Sequence, residues 1–202
     1  MILAIDVGNT NIVLGCIDNG KIGSIVRIHT DTRETEAEYA IKLKAIFYAY
    51  GMDATAFDGV ILSSVVPPVT EALIRAVKTL TGLDCMVVGP GMKTGMNIRV
   101  DDPGTVAGDL ITGGVAAMQF YGKPVIVLDL GTATTATVVD AGGNFRGGAI
   151  LPGIKLSYSA LAAGTSRCRI SPLPHRKNAW RPIRWTACAP APCSARQPCL
   201  TA

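Results

Sequence analysis
Two short stretches of this chain carry an acid, a glycine and small polar residues in the same order. The first is Asp6-Val7-Gly8-Asn9-Thr10, and the second is Asp129-Leu130-Gly131-Thr132-Ala133. Each follows an apolar run, so each acid stands at the end of a strand, facing a cleft. Gly8 and Gly131 carry no side chain and let backbone N–H groups approach an anion closely. Asn9, Thr10, Asn11 and Thr132, Thr134, Thr135 add short uncharged hydrogen-bond donors. Asp6 and Asp129 can hold a cation, directly or through water, that shares its charge with phosphate oxygens. One such loop is an ordinary turn; two that face one another would hold a polyphosphate between two lobes. The plainer alternative is a pair of unrelated Asp-x-Gly hairpins. The second copy also repeats a strand and then a turn, with Asp140-Ala-Gly-Gly143 in the place of Asp18-Asn-Gly20, which favours a duplicated domain. A Gly-x-x-x-x-Gly-Lys-Ser/Thr loop and a Gly-x-Gly-x-x-Gly loop are both absent.

The elements that must position these loops follow from periodicity. Strands are expected at 2–5, 11–17 and 21–28, the last two joined by Asp18-Asn-Gly20, a hairpin signal. Tyr39, Leu43, Ile46, Phe47 and Tyr50 recur at helical spacing, predicting a helix over 34–50 stopped by Gly51. A strand at 60–62 follows, with Ser63-Ser-Val-Val-Pro-Pro68 as a turn, then a helix over 69–80. Cys85 to Val88 is a strand, 89–102 a glycine-rich loop, and 105–121 a helix. Strands at 124–128, 134–139 and 145–150 and a helix over 154–163 close the pattern. Three meandering strands followed by helix and strand alternation indicate a mixed α/β fold.

Composition divides the chain. Over its 202 residues the net charge is +4, but residues 1–166 sum to −3 and residues 167–202 to +7 without one acid. The basic stretch also holds four of the six cysteines and both tryptophans, so the overall charge is not a property of the folded body. The longest apolar stretch, 125–139, is broken by Asp129 and threonines, and no membrane span is expected. Met1-Ile-Leu-Ala-Ile-Asp6 lacks a basic start, so no signal peptide is expected either. The cytoplasm is the default compartment.

Together with the two loops, Gly91-Met-Lys-Thr-Gly-Met-Asn-Ile98, Asp102-Pro103 leading to Gly108-Asp109, Asp129-Leu-Gly-Thr-Ala-Thr-Thr135 and Gly147-Gly-Ala-Ile-Leu-Pro-Gly153 resemble type III pantothenate kinase. The resemblance covers 1–166 and implies duplicated actin-like, ribonuclease-H-like lobes: mixed five-stranded sheets with helices, ATP between them, and the second lobe incomplete here. It implies one lobe over 1–122 and the start of another over 123–166. It implies ATP-dependent phosphorylation of pantothenate, with Mg2+ and a monovalent cation, potassium or ammonium. Asp6, Val7, Gly8, Asn9, Thr10, Asn11, Ile12 and Val13 match the ATP phosphate loop, and Thr132 a second ATP contact. Asp129 matches the monovalent-cation ligand. Val100 and the loop Ala107, Gly108, Asp109, Leu110 match the pantothenate site, with Asp109 as general base. The residues alone leave Asp109 open between that role and an acid favoured by a helix dipole. A homodimer is implied as well; nucleic acid and membrane partners are not expected.

Two positions depart from the family. Leu110 stands where many members carry arginine, and Val100 where many carry tyrosine, so polar and stacking contacts to substrate are lost. His29, at the end of an apolar strand, is expected at the surface or in packing. Cys16 and Cys85 read as buried thiols of a reducing compartment. Residues 167–202 are expected to be out-of-frame or disordered sequence. A zinc element from Cys168, His175, Cys188, Cys193 and Cys199 lacks a Cys-x-x-Cys pair, and a basic nucleic-acid arm is the other alternative. For the chain as a whole, the alternatives to a kinase are a non-catalytic nucleotide-binding relative and an inert truncated kinase.

Overall fold
The computed structural model describes residues 1–89 and 91–165. The acid-free stretch 167–202, with its cysteines, His175 and tryptophans, lies outside the described residues. Two compact units emerge among those described: 1–128 with 136–149, and 129–135 with 150–165.

The first unit is organised by one five-stranded sheet. Its strands are β1 (Ile2–Val7), β2 (Asn11–Asp18), β3 (Lys21–His29), β4 (Gly59–Ser64) and β5 (Cys85–Val87), in the order β3-β2-β1-β4-β5. β1 runs antiparallel to β2 and parallel to β4, and β4 runs parallel to β5. Asp18 pairs with Lys21 across the β2–β3 turn, where Asn19 and Gly20 both take positive φ (48° and 75°) as a two-residue hairpin requires.

Strand alternation builds the core. Leu3, Ile5 and Val7 of β1 and Ile12, Leu14 and Cys16 of β2 are buried on one sheet face. That face is covered by α1 (Glu36–Ala49) and α2 (Pro67–Thr81), through Tyr39, Leu43, Phe47, Val69, Leu73 and Val77. Tyr39 is fully buried, and its hydroxyl donates to the Asp31 carbonyl at 2.8 Å, which satisfies the one polar atom it takes inside.

Several boundaries differ from the periodicity. The first helix starts at Glu36 rather than Glu34, because Thr35 caps it: the Thr35 N–H donates to Glu38 Oε2 at 2.7 Å, and the Glu38 N–H donates to Thr35 Oγ1 at 3.4 Å. Ser63 and Ser64 belong to β4 instead of a turn, and Pro67 opens α2, where the missing N–H of proline costs nothing. The loop expected over 89–102 contains a two-residue strand, β6 (Asn97–Ile98), which pairs parallel with a later strand, Asn144–Pro152, through Asn97 and Asn144 and through Ile98 and Phe145.

The second sheet, among the described residues, has four strands in the order β6-β9-β8-β7, with β7 (Val125–Leu130), β8 (Ala133–Val139) and β9 (Asn144–Pro152). Met96, Ile111, Val139 and Phe145 form a second small core in the first unit, against which Val100, Val106, Leu110 and Met118 pack. Two helices complete the described chain, α3 (Gly108–Tyr121) in the first unit and α4 (Ile154–Gly164) in the second. No described helix is long and apolar enough to cross a membrane.

Leu62, fully buried in β4, tests this layering. Leu62→Ala is expected to lose about 2–5 kcal/mol of stability. Urea unfolding followed by circular dichroism should show a lower midpoint at an unchanged slope.

Candidate functional site
The register of the first sheet decides which side chains share a surface. Asp6 pairs with Val13 of β2 on one side and with Ser63 of β4 on the other. By strand alternation these three point away from the face buried under α1 and α2. With Ile61, Val88 and Thr112 they line a cleft of about 310 Å³ in the first unit, largely apolar, in which Asp6, Ser63 and Thr112 are the polar side chains.

The turn after Asp6 is held from both sides. The Gly8 N–H donates to the Asn11 carbonyl at 3.0 Å, Thr30 Oγ1 donates to the Gly8 carbonyl at 2.7 Å, and the Thr30 N–H donates to the Thr10 carbonyl at 3.0 Å. A Cβ on Gly8 would stand 3.2 Å from the Asn11 carbonyl, so the turn needs glycine for room. Within the stretch 6–13, Val7 and Ile12 are core residues, 1% and 0% exposed, and serve the loop by anchoring it.

The segment carrying Asp109 is assembled differently from the expected helix over 105–121. Asp102 Oδ1 accepts from the Gly104 N–H at 3.1 Å and caps a single 3-10 turn over Pro103–Thr105. Val106 and Ala107 are extended, and α3 begins only at Gly108. Asp109 therefore lies in the first helical turn, where Oδ1 accepts from the Leu110 N–H at 2.8 Å. Gly108 is buried: a Cβ there would come within 3.2 Å of the Val88 carbonyl and 3.5 Å of Ser63 Oγ. The start of α3 thus abuts the end of β4, and Thr112, one turn on, lines the Asp6 cleft while its hydroxyl donates to the Asp109 carbonyl at 3.0 Å.

The other expected site residues fall elsewhere. Val100 and Leu110 are half-buried and pack on the second core; neither lines the Asp6 cleft. Asp129, near the end of β7, and Thr132, on the turn after it, lie in the second unit, both exposed; the turn is closed by the Gly131 N–H donating to the Ala133 carbonyl at 3.0 Å. The Thr132 carbonyl accepts from the Gly153 N–H at 3.0 Å, which ties the turn to the start of α4. Among the described residues no group of three or more His, Cys, Asp or Glu side chains could hold a metal ion. Two residues of the cleft, Ser63 and Thr112, escaped the sequence reading. Ser63 carried a signal, a polar residue directly after an apolar strand; Thr112 inside a helix carried none.

The remaining candidates are structural. His29 is exposed at the end of β3. Cys16 is buried, with Met52 Sδ 3.4 Å from its Sγ, and burial raises its pKa. Cys85 is half-buried rather than fully buried, yet desolvation pushes its thiol up to about 11.

A five-stranded mixed sheet, parallel crossovers through helices, and a second sheet carrying a second acid-glycine turn define an actin-like α/β fold. In keeping with this, the fold is similar to the solved structure of a protein assigned as a 2-dehydro-3-deoxygalactonokinase from Sinorhizobium meliloti. That match has a TM-score of 0.52 at 15% identity and covers 82% of this chain and 58% of that one. The family is narrower: the chain belongs to the type III pantothenate kinases, whose family model matches residues 2–180. The type III pantothenate kinase of Geobacillus sp. (strain WCH70) is 43% identical over 167 residues, 83% of this chain and 65% of that protein. The type III pantothenate kinase of Moorella thermoacetica is 42% identical over 167 residues, 83% of this chain and 66% of that protein. The chain therefore spans just under two thirds of the length of these curated relatives.

Two outcomes follow from the packing. Gly108→Ala must push α3 away from Val88, and the overpacking is expected to cost about 1–3 kcal/mol, read as a lower urea midpoint. The Cys85 thiol in the unfolded chain ionises from about 9.0, and in the folded chain from about 11. Between those values the folded state binds more protons, so stability falls as pH rises. Urea midpoints measured from pH 8.5 to 11 should decline more steeply for the wild type than for Cys85→Ala.

Proposed function
We propose that this chain serves ATP-dependent phosphorylation of pantothenate to 4'-phosphopantothenate, the entry to coenzyme A biosynthesis, as a cytoplasmic homodimer. The supporting observation is the convergence of two separate motifs on one strand end. Asp6 of the first loop pairs in register with Ser63, and Ser63 abuts Gly108, the residue before Asp109. A phosphate loop and a candidate base that meet in this way suit transfer between bound partners, which depends mostly on positioning and charge stabilisation.

In this reading the turn 6–13 receives the ATP phosphates, with Thr132 as a further nucleotide contact. The substrate loop 107–110 holds pantothenate, with Val100 at its pocket. The Asp109 carboxylate accepts the proton of the substrate hydroxyl as its oxygen bonds to the γ-phosphorus. The bond from that phosphorus to the bridging oxygen breaks, and ADP leaves with the electron pair. Asp6, the carboxylate in the cleft lining, would hold a magnesium ion together with the substrate phosphates. Such an ion supplies charge neutralisation on the phosphates when bound. Asp129 is exposed and suits a monovalent cation, potassium or ammonium.

A second reading, a nucleotide-binding relative without turnover, is favoured by the apolar setting of Val100 and Leu110. A coupled ADP-release assay separates the two. ADP release that requires both ATP and pantothenate, and that falls about 10²- to 10⁴-fold in Asp109→Asn, supports the kinase. ATP binding with no pantothenate-dependent ADP release would leave the second reading standing.

A further inference from the structure
Ser63 is 6% exposed, and its hydroxyl has no hydrogen-bond partner. A buried hydroxyl left in this condition destabilises the fold, so a fold that keeps one asks what it is for. Its surroundings narrow the answer. The hydroxyl lines the Asp6 cleft and lies against the start of α3, a 14-residue helix whose N-cap, Ala107, offers no side-chain acceptor to the first-turn N–H groups. Asp6 shares its sheet face, Asp109 follows the glycine it touches, and the cleft walls beside it are Ile61 and Val88.

Asp6 is the charged side chain of the cleft lining, and Ser63 beside it on the same sheet face offers an O–H. A neutral hydroxyl suits both neighbours, since it donates to a carboxylate and accepts from the serine O–H at once. The apolar walls suit aliphatic carbon attached to it.

We propose that Ser63 is a substrate-binding residue, its Oγ donating a hydrogen bond to a hydroxyl of the acceptor alcohol while the adjoining aliphatic carbon packs on Ile61 and Val88. This rests on the kinase reading above and adds to it a residue outside the motifs that announced it. The hydrogen bond forms on binding, so its effect falls on acceptor affinity and leaves the nucleotide site alone.

The test compares wild type, Ser63→Ala and Ser63→Cys by thermal melting without ligand and by calorimetric titration with pantothenate and, separately, with ATP. Without ligand, Ser63→Ala is expected to melt at or above the wild-type temperature, because an unsatisfied group has been removed. Its pantothenate affinity should fall about 3- to 10-fold, with ATP affinity unchanged. Ser63→Cys keeps the side-chain shape but replaces the oxygen with a larger, weakly donating sulfur, and should follow Ser63→Ala in affinity. Pantothenate binding as tight as wild type in both variants overturns the proposal and leaves the kinase reading intact. A ligand-free melting point several degrees lower in Ser63→Ala overturns it as well, since the hydroxyl would then be structural. Failure of the wild type itself to bind pantothenate while binding ATP removes the kinase reading and this proposal with it.

Discussion
The parallel pairing of β1 with β4 sets Asp6 opposite Ser63, and the remaining geometry of the first unit is built outward from that pair. Strand side chains alternate, so a slip of one residue would turn Asp6 into the face covered by α1 and α2. A lone carboxylate there would lose its water among Leu3, Leu43 and Leu73 with nothing to replace it. The register is fixed by the apolar residues that prefer that face, Leu3, Ile5 and Val7 on β1 with Val60 and Leu62 on β4. Burial of hydrocarbon thus decides where an acid faces the cleft. The site inherits its precision from the core and requires no polar contact to set it.

The same logic extends to α3. Its start is pressed against the end of β4 by Gly108, whose missing side chain leaves room for the Val88 carbonyl. The extended pair Val106 and Ala107 separates a capped 3-10 turn from the helix proper. Had the helix run unbroken from Thr105, Asp109 would sit a turn deeper, away from the orphan N–H groups of the first turn. The break brings the candidate base to the helix end that adjoins the sheet.

These details mark where sequence reading succeeded and where it stopped. The strands 2–7, 11–18 and 21–29 and the helices carrying Tyr39 and Leu73 were legible because each buries one face, and burial writes a period of 2 or 3.6 into the chain. β6 was not, since two residues cannot display a period; it exists because Asn97 and Ile98 find an edge on β9, a partner 47 residues away. The start of α2 was misread because proline, a breaker inside a helix, is also a favoured first residue. The acids Asp6, Asp109 and Asp129 were legible as motif residues. Ser63 and Thr112 were not, because what matters about them is a neighbour in another element, and a single chain does not print its own contacts.

The two acid-glycine turns share their order but not their closure. In the first, the Gly8 N–H reaches three residues ahead to Asn11; in the second, the Gly131 N–H reaches two residues ahead to Ala133. The first turn is therefore one residue longer and presents Asn9 and Thr10 at its tip, whereas the second is tighter and is fastened to Gly153. Under the kinase reading this difference sorts the roles: a wider turn suits a polyphosphate that needs several donors, and a tight turn with an exposed acid suits a single small cation. It also bears on the alcohol site. Val100 and Leu110 are engaged in apolar packing, so charged or stacking contacts from those positions are lacking. Under the proposals above, recognition of the acceptor hydroxyl rests on short side chains held by the sheet and by the first turns of α3. That arrangement trades the long reach of arginine for low conformational entropy, because a serine fixed in a strand loses little further freedom when the ligand arrives.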